Sequence, residues 1–95
     1  MYLENMNGLS ASEQKMFFEI SSVMKKYEDV RSFNLALDHN HFDIKKGEVL
    51  HEVNDPDART LSLSVVNSDE LPKTSKPTQW SIDENSIEVK TWCCD

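Results

Sequence analysis

Residues 33–66 read FNLALDHNHFDIKKGEVLHEVNDPDARTLSLSVV, and how this stretch is interpreted decides the fold. It holds the longest alternating apolar pattern of the chain, all three histidines and the two clearest reversals of direction. Phe33, Leu35, Leu37, His39 and His41 share one parity, and therefore one face of an extended strand. Asn34, Ala36, Asp38 and Asn40 fall on the other face, as a half-buried strand requires. The segment Asp43 to Gly47 then reads as a loop, with Gly47 taking a backbone conformation that other residues resist. Glu48 to Asn54 forms the next strand, with Val49, His51 and Val53 on one face. With residues 43–47 as the loop, His39 falls opposite His51, and a slip of two residues puts His41 there instead. Parity is kept in both cases, so the pattern predicts His39, His41 and His51 on one face beside Leu37, Val49 and Val53.

The second reversal is Asn54-Asp55-Pro56-Asp57-Ala58. Proline after aspartate presets the first central position of a type I turn, and the aspartates accept bonds from nearby backbone N–H groups. The returning strand is Arg59 to Val66, where Leu61, Leu63 and Val65 alternate with Thr60, Ser62 and Ser64. A loop at 55–58 would pair Val53 with Thr60 and send the leucines to the wrong face. A three- or five-residue loop, or a bulge near Ala58 or Arg59, is therefore predicted. Residues 31–66 thus predict a three-stranded antiparallel meander.

The flanking segments attach to that meander. Residues 1–9 read as a lead-in. Ser10 followed three residues later by Glu13 is a capping-box signature. Met16, Phe17, Ile20, Val23, Met24 and Tyr27 then recur at intervals that keep one helical stripe apolar. Lys25 and Lys26 close the segment in favour of the helix dipole, so residues 10–28 predict one amphipathic helix. Residues 67–77 show no apolar period and contain Pro72 and Pro77, which marks a connection or contact surface. Residues 78–95 predict a hairpin that turns at Asp83-Glu84-Asn85, with Trp80, Ile82, Ile87 and Val89 among its apolar positions. The fold class expected is α+β: the helix packed on an antiparallel sheet of about five strands.

Ninety-five residues predict one domain, because a second core cannot be built from the remainder. No apolar run approaches the roughly 20 residues needed to cross a bilayer. The start MYLENMNG lacks a basic region followed by an apolar core, so no secretory signal is read and a cytoplasmic location is expected. A net charge of −7 argues against direct phosphate binding to nucleic acid; its bland reading is solubility, and its functional reading is an acidic face that docks on a partner protein with a basic surface. With only Gly8 and Gly47, no glycine-rich phosphate loop is present. Cys93 and Cys94 are adjacent, which makes no disulfide framework, and two reduced thiols are expected.

One cluster carries a chemical reading. His39-x-His41 aims two imidazoles to one side of a strand, and His51 across a hairpin adds a third, a donor set suited to a zinc-type ion. Asp38, Asp43 or Glu52 would orient the rings, and Cys93 or Cys94 would complete the set if the last strand lies alongside. The bland alternative is half-buried histidines bonded to neighbouring carboxylates. A cysteine–histidine nucleophile finds no support in the sequence around Cys93 and Cys94. Ser10 and Ser12 are accounted for by the helix start. No catalytic set and no cofactor motif emerge. The expected function is therefore a small acidic non-enzymatic protein-binding module, such as an inhibitor, immunity protein or adaptor. The second is a metal-binding protein using His39, His41 and His51.

Overall fold

In a computed structural model, residues 8–94 are described, and the chain divides into two compact units, Met1–Asp38 and His39–Asp95. The predicted lead-in falls, up to residue 7, outside the described residues. The class is α+β: one helix, α1 (Ala11–Lys25), and four strands, β1 (Glu48–Asp55), β2 (Thr60–Asn67), β3 (Lys76–Ile82) and β4 (Ile87–Cys93). Among the described residues no helix is long and apolar enough to cross a membrane.

The first unit contains α1, whose start is the capping box read from the sequence. The Ser10 hydroxyl oxygen accepts from the Glu13 N–H at 3.0 Å, and the Glu13 carboxylate accepts from the Ser10 N–H at 2.8 Å. Two N–H groups of the first turn, which have no partner inside a helix, are thereby satisfied. The helix ends earlier than the predicted residue 28. From Lys26 the bonds tighten to three-residue spacing, Lys26 N–H to Val23 C=O at 3.1 Å and Tyr27 N–H to Met24 C=O at 3.2 Å. That tightening is a common way for a helix to satisfy its last carbonyls.

The second unit contains the sheet, in the order β2-β1-β4-β3. β1 pairs antiparallel with β2, β3 pairs antiparallel with β4, and β1 pairs parallel with β4 through Leu50↔Thr91, His51↔Trp92 and Glu52↔Cys93. The sheet is therefore mixed and four-stranded, where an antiparallel sheet of about five strands was expected. The predicted meander over 31–66 loses its first member, since none of residues 31–42 is in a strand. The side of β1 reserved for that strand is occupied by β4. Strand chemistry explains the outcome: Ile87, Val89, Thr91 and Trp92 suit a pleated surface, whereas Ala36, Asp38 and Asn40 suit it poorly.

Both predicted turns of the β1 region form. Glu48 N–H donates to Lys45 C=O at 3.0 Å, and Gly47 takes φ +85°, the left-handed position that a type II turn demands. In the second turn the Asp55 carboxylate accepts from the Asp57 and Ala58 N–H groups at 3.1 and 3.2 Å. The loop is 56–59, with Asp55 paired to Thr60, and Arg59 closes it in the left-handed region at φ +58°. No bulge and no odd loop intervene. Directly opposed residues share a face. Leu61, Leu63 and Val65 therefore stand with Asn54, Glu52 and Leu50, away from Val49, His51 and Val53. The expected common face for the two sets is thus corrected by the register.

The connection from β2 to β3 is residues 68–75, where a connection over 67–77 was expected, and includes a 3-10 turn at Ser68–Glu70. It joins the two outer strands, β2 and β3, which run in the same direction. It must therefore cross a face of the sheet. The crossing covers three strand spacings and about four residues of strand length, roughly 19 Å, well within reach of the connection. β3 begins at Lys76 and contains Pro77, which is tolerated because β3 is an edge. The register shifts between Pro77 and Trp80 skip Thr78 on β3 and Lys90 on β4.

Burial concentrates where β1 meets β4. Leu50, Thr91 and Cys93 are 7, 4 and 3% exposed, and they share one sheet face. The buried Thr91 hydroxyl donates to the Gln79 side-chain oxygen at 2.5 Å, and Thr91 C=O accepts from the Thr78 hydroxyl at 3.3 Å. Buried polar atoms need such partners. Trp80, one of the apolar positions of the hairpin, is 42% exposed, and Trp92 is half-buried. Because Leu50 is enclosed and Leu61 is 63% exposed, Leu50→Ala should lower unfolding free energy by about 2 kcal/mol or more. Leu61→Ala should stay within about 0.5 kcal/mol, both read by chemical denaturation.

The β3–β4 turn yields a pH prediction. The Asp83 carboxylate accepts from the Asn85 and Ser86 N–H groups at 2.8 and 2.9 Å and from the Ser86 hydroxyl at 3.2 Å. These bonds, that from Asn85 first, hold Asp83 below its ordinary value of 3.8. A lowered folded value contributes stability above the unfolded value, lost as pH falls through the folded one. Below pH about 3.8, wild-type should lose thermal stability that an Asp83→Asn variant does not, measured as the difference between their melting profiles from pH 6 to 2.

Candidate functional site

The parallel seam determines which chemically capable side chains meet. Glu52 on β1 and Cys93 on β4 are register partners, and Cys93 Sγ lies 3.1 Å from a Glu52 carboxylate oxygen. Strand alternation alone would send Cys94 to the opposite face from Cys93. β4 ends at Cys93, however, and Cys94 takes φ +68°, which turns its side chain back. The Asn54 amide, two residues beyond Glu52 on the same face, donates to Cys94 Sγ at 3.7 Å. Cys93 and Cys94 are joined as a vicinal disulfide, a correction to the two reduced thiols expected. The physical cause is that left-handed residue, which places both sulfurs on one side.

Glu52, Cys93 and Cys94 present one oxygen and two sulfur ligand atoms all within 4.8 Å of one another. Cys93 is buried, Glu52 half-buried and Cys94 exposed, so the group opens to solvent at one end. Among the described residues this is the group of histidine, cysteine and acidic side chains gathered closely enough to hold an ion.

The predicted histidine set is distributed differently. His39 and His41 lie close together, ring centroids 5.1 Å apart and edge to face. They belong to an exposed segment outside the sheet, in which Asn40 accepts from the Lys90 ammonium at 2.7 Å. His51 stands in the sheet, opposed by Ser64 on β2 and Trp92 on β4, and is half-buried. The predicted pairing of His51 with His39 or His41 across a hairpin is therefore replaced by its pairing with Trp92. Glu52, expected to orient an imidazole, faces Cys93 on the sheet side opposite His51. The last strand does lie alongside β1, the condition set for the cysteines to join the histidines, but it carries them to Glu52. The Cys93–Glu52 pairing was missed because it depends on a parallel register between segments 41 residues apart, which no local pattern encodes.

A second feature of the sheet bears on binding. The outer edge of β2 has no strand beside it among the described residues, and residues 60–64 are exposed. Its sequence, TLSLSVVN, contains no charge, proline or glycine. The other edge, β3, carries Lys76, Pro77 and an irregular register, features that discourage further pairing. Comparison with protein-family models, with curated proteins and with solved structures finds no match for this chain.

Proposed function

We propose that this chain is a small, acidic, non-enzymatic protein-binding module of the cytoplasm, acting as an inhibitor, immunity protein or adaptor. The observation that carries the reading is the unprotected outer edge of β2, eight residues long and uncharged. An open edge offers alternate N–H and C=O groups to an incoming strand, while pockets between side chains give selectivity. Leu61 and Leu63, 63 and 46% exposed, form an apolar row along one face of that edge. Carboxylates flank it in sequence, Asp55 and Asp57 before it and Asp69 and Glu70 after it. Together with the net charge of −7, they favour an extended partner segment that alternates apolar residues and carries lysine or arginine at its ends. Such a partner is a protein with a basic surface; the reading requires no cofactor, nucleic acid or membrane.

The second reading is a zinc-type metal-binding protein built on His39, His41 and His51. The close approach of the His39 and His41 rings favours it, and the sheet position of His51 does not. In that case elemental analysis of protein purified without chelator should find near-stoichiometric zinc, lost in a His39→Ala/His51→Ala double variant. In the binding reading the same variant costs only some stability.

Selection from a random-peptide display library tests the binding reading. Enriched peptides should alternate apolar and basic residues, bind more weakly as salt rises, and lose at least tenfold in affinity to a Leu63→Lys variant, about 1.4 kcal/mol. Peptides that lack basic residues, or that bind Leu63→Lys unchanged, would sink it.

A further inference from the structure

We propose that Glu52, Cys93 and Cys94 form a binding site for a thiophilic divalent cation of the zinc class, available when the Cys93–Cys94 bridge is reduced. Glu52 is opposed to Leu63 on β2, so the site borders the leucine row of that edge, but its donors are Glu52, Cys93 and Cys94 alone and its test reads metal rather than peptide binding.

The donor chemistry is specific. Two thiolates and one carboxylate suit zinc, since soft sulfur ligands select against magnesium and calcium. A tetrahedral zinc ion sits about 2.3 Å from sulfur and about 2.0–2.2 Å from carboxylate oxygen, which places its ligand atoms roughly 3.5–3.8 Å apart. In the bridged form the two sulfurs are bonded to each other and the Glu52 oxygen lies within 4.8 Å of both, so after reduction the sulfurs must part by side-chain rotation to reach that spacing while the carboxylate is already near. Three protein ligands leave a fourth position for water or for a partner's side chain, the arrangement of open zinc sites.

The framework holds the donors in place. Glu52 and Cys93 are neighbours across the β1–β4 seam, and Cys93, 3% exposed, is enclosed there. The left-handed backbone at Cys94 and the Asn54 amide keep the second sulfur on the same side. Two thiolates beside a carboxylate repel one another, and a divalent cation between them offsets most of that charge. Cys94 remains exposed, which gives the ion a route in.

The redox balance is explicit. A small dithiol reductant transfers two electrons and two protons to the Cys93–Cys94 bond, which breaks to two thiols while the reductant becomes a disulfide. Binding the cation then displaces one proton from each thiol to solvent. A small disulfide oxidant reverses the sequence: it accepts two electrons and, with two protons from solvent, becomes two thiols, the Cys93–Cys94 bond re-forms, and the ion is expelled because a disulfide sulfur is no longer an anionic ligand.

The test uses the full chain, reduced and kept anaerobic, titrated with cobalt(II) as a spectroscopic stand-in and then with zinc(II). The reduced wild-type chain should show a thiolate-to-cobalt charge-transfer absorption that saturates at one ion per chain and is displaced by zinc but not by magnesium. The disulfide form should show no such band. Cys94→Ser and Glu52→Gln should each weaken cobalt binding at least tenfold. Because Cys94 is exposed, the Cys94→Ser chain should keep the far-ultraviolet dichroism and melting midpoint of the ion-free wild type. Absence of the band in the reduced chain would overturn the proposal. So would full binding by Cys94→Ser or Glu52→Gln, or loss of binding in a His39→Ala/His41→Ala variant while the cysteine variant binds normally.

Discussion

Three residue pairs, Leu50↔Thr91, His51↔Trp92 and Glu52↔Cys93, join β1 to β4 in parallel, and the sheet depends on them. Without this seam the second unit is two separate hairpins, β1–β2 and β3–β4, each of a kind that is marginal alone in water. The seam is short and parallel, a pairing slightly weaker per residue than an antiparallel one. Burial compensates for its length. The most enclosed side chains, Leu50, Thr91 and Cys93, all lie along it on one face, with the Thr91 polar groups satisfied by β3. Apolar area removed from water and a fully bonded polar group together make this the point where the two hairpins hold each other.

The same seam leaves the sheet with two unequal edges. β3 is protected by Pro77, Lys76 and a register irregularity, while β2 has none of these devices. Protection of one edge and exposure of the other is a physical asymmetry, because an unprotected strand edge invites pairing wherever a suitable strand is available. The crossover at 68–75 ties the two edges together, since it must carry the chain from β2 across the sheet to β3. Edge exposure is thus a consequence of topology.

The chemistry of the second unit follows from where β4 ends. One more residue of strand would turn Cys94 to the opposite face. Ending at Cys93, with a left-handed residue next, brings both sulfurs to the side where Glu52 and Asn54 point. Of the histidines, more numerous than the cysteines and more suggestive by spacing, His51 is in β1 while His39 and His41 lie outside the strands. His39 and His41 keep each other's company near Asn40 and Lys90, while His51 is enclosed by the strands on either side.

What was legible from residues alone is what neighbouring residues decide among themselves. Ser10 and Glu13 cap the helix, Gly47 turns the chain into β1, and Asp55 and Asp83 anchor their turns, because each bond spans five residues or fewer. The α+β class and the β1–β2 and β3–β4 hairpins were readable for the same reason. Alternation in residues 33–42 was misleading, because period two says which side chains share a face and nothing about whether a neighbouring strand edge is free. β4 occupies that edge with better strand-forming side chains. Register was likewise undetermined: the turn sets it through Arg59, and a shift of one residue exchanges the faces. The meeting of Glu52 with Cys93 belongs wholly to tertiary structure. Its partners lie 41 residues apart, and only the packing of two hairpins around Leu50 and Thr91 brings them within 3.1 Å.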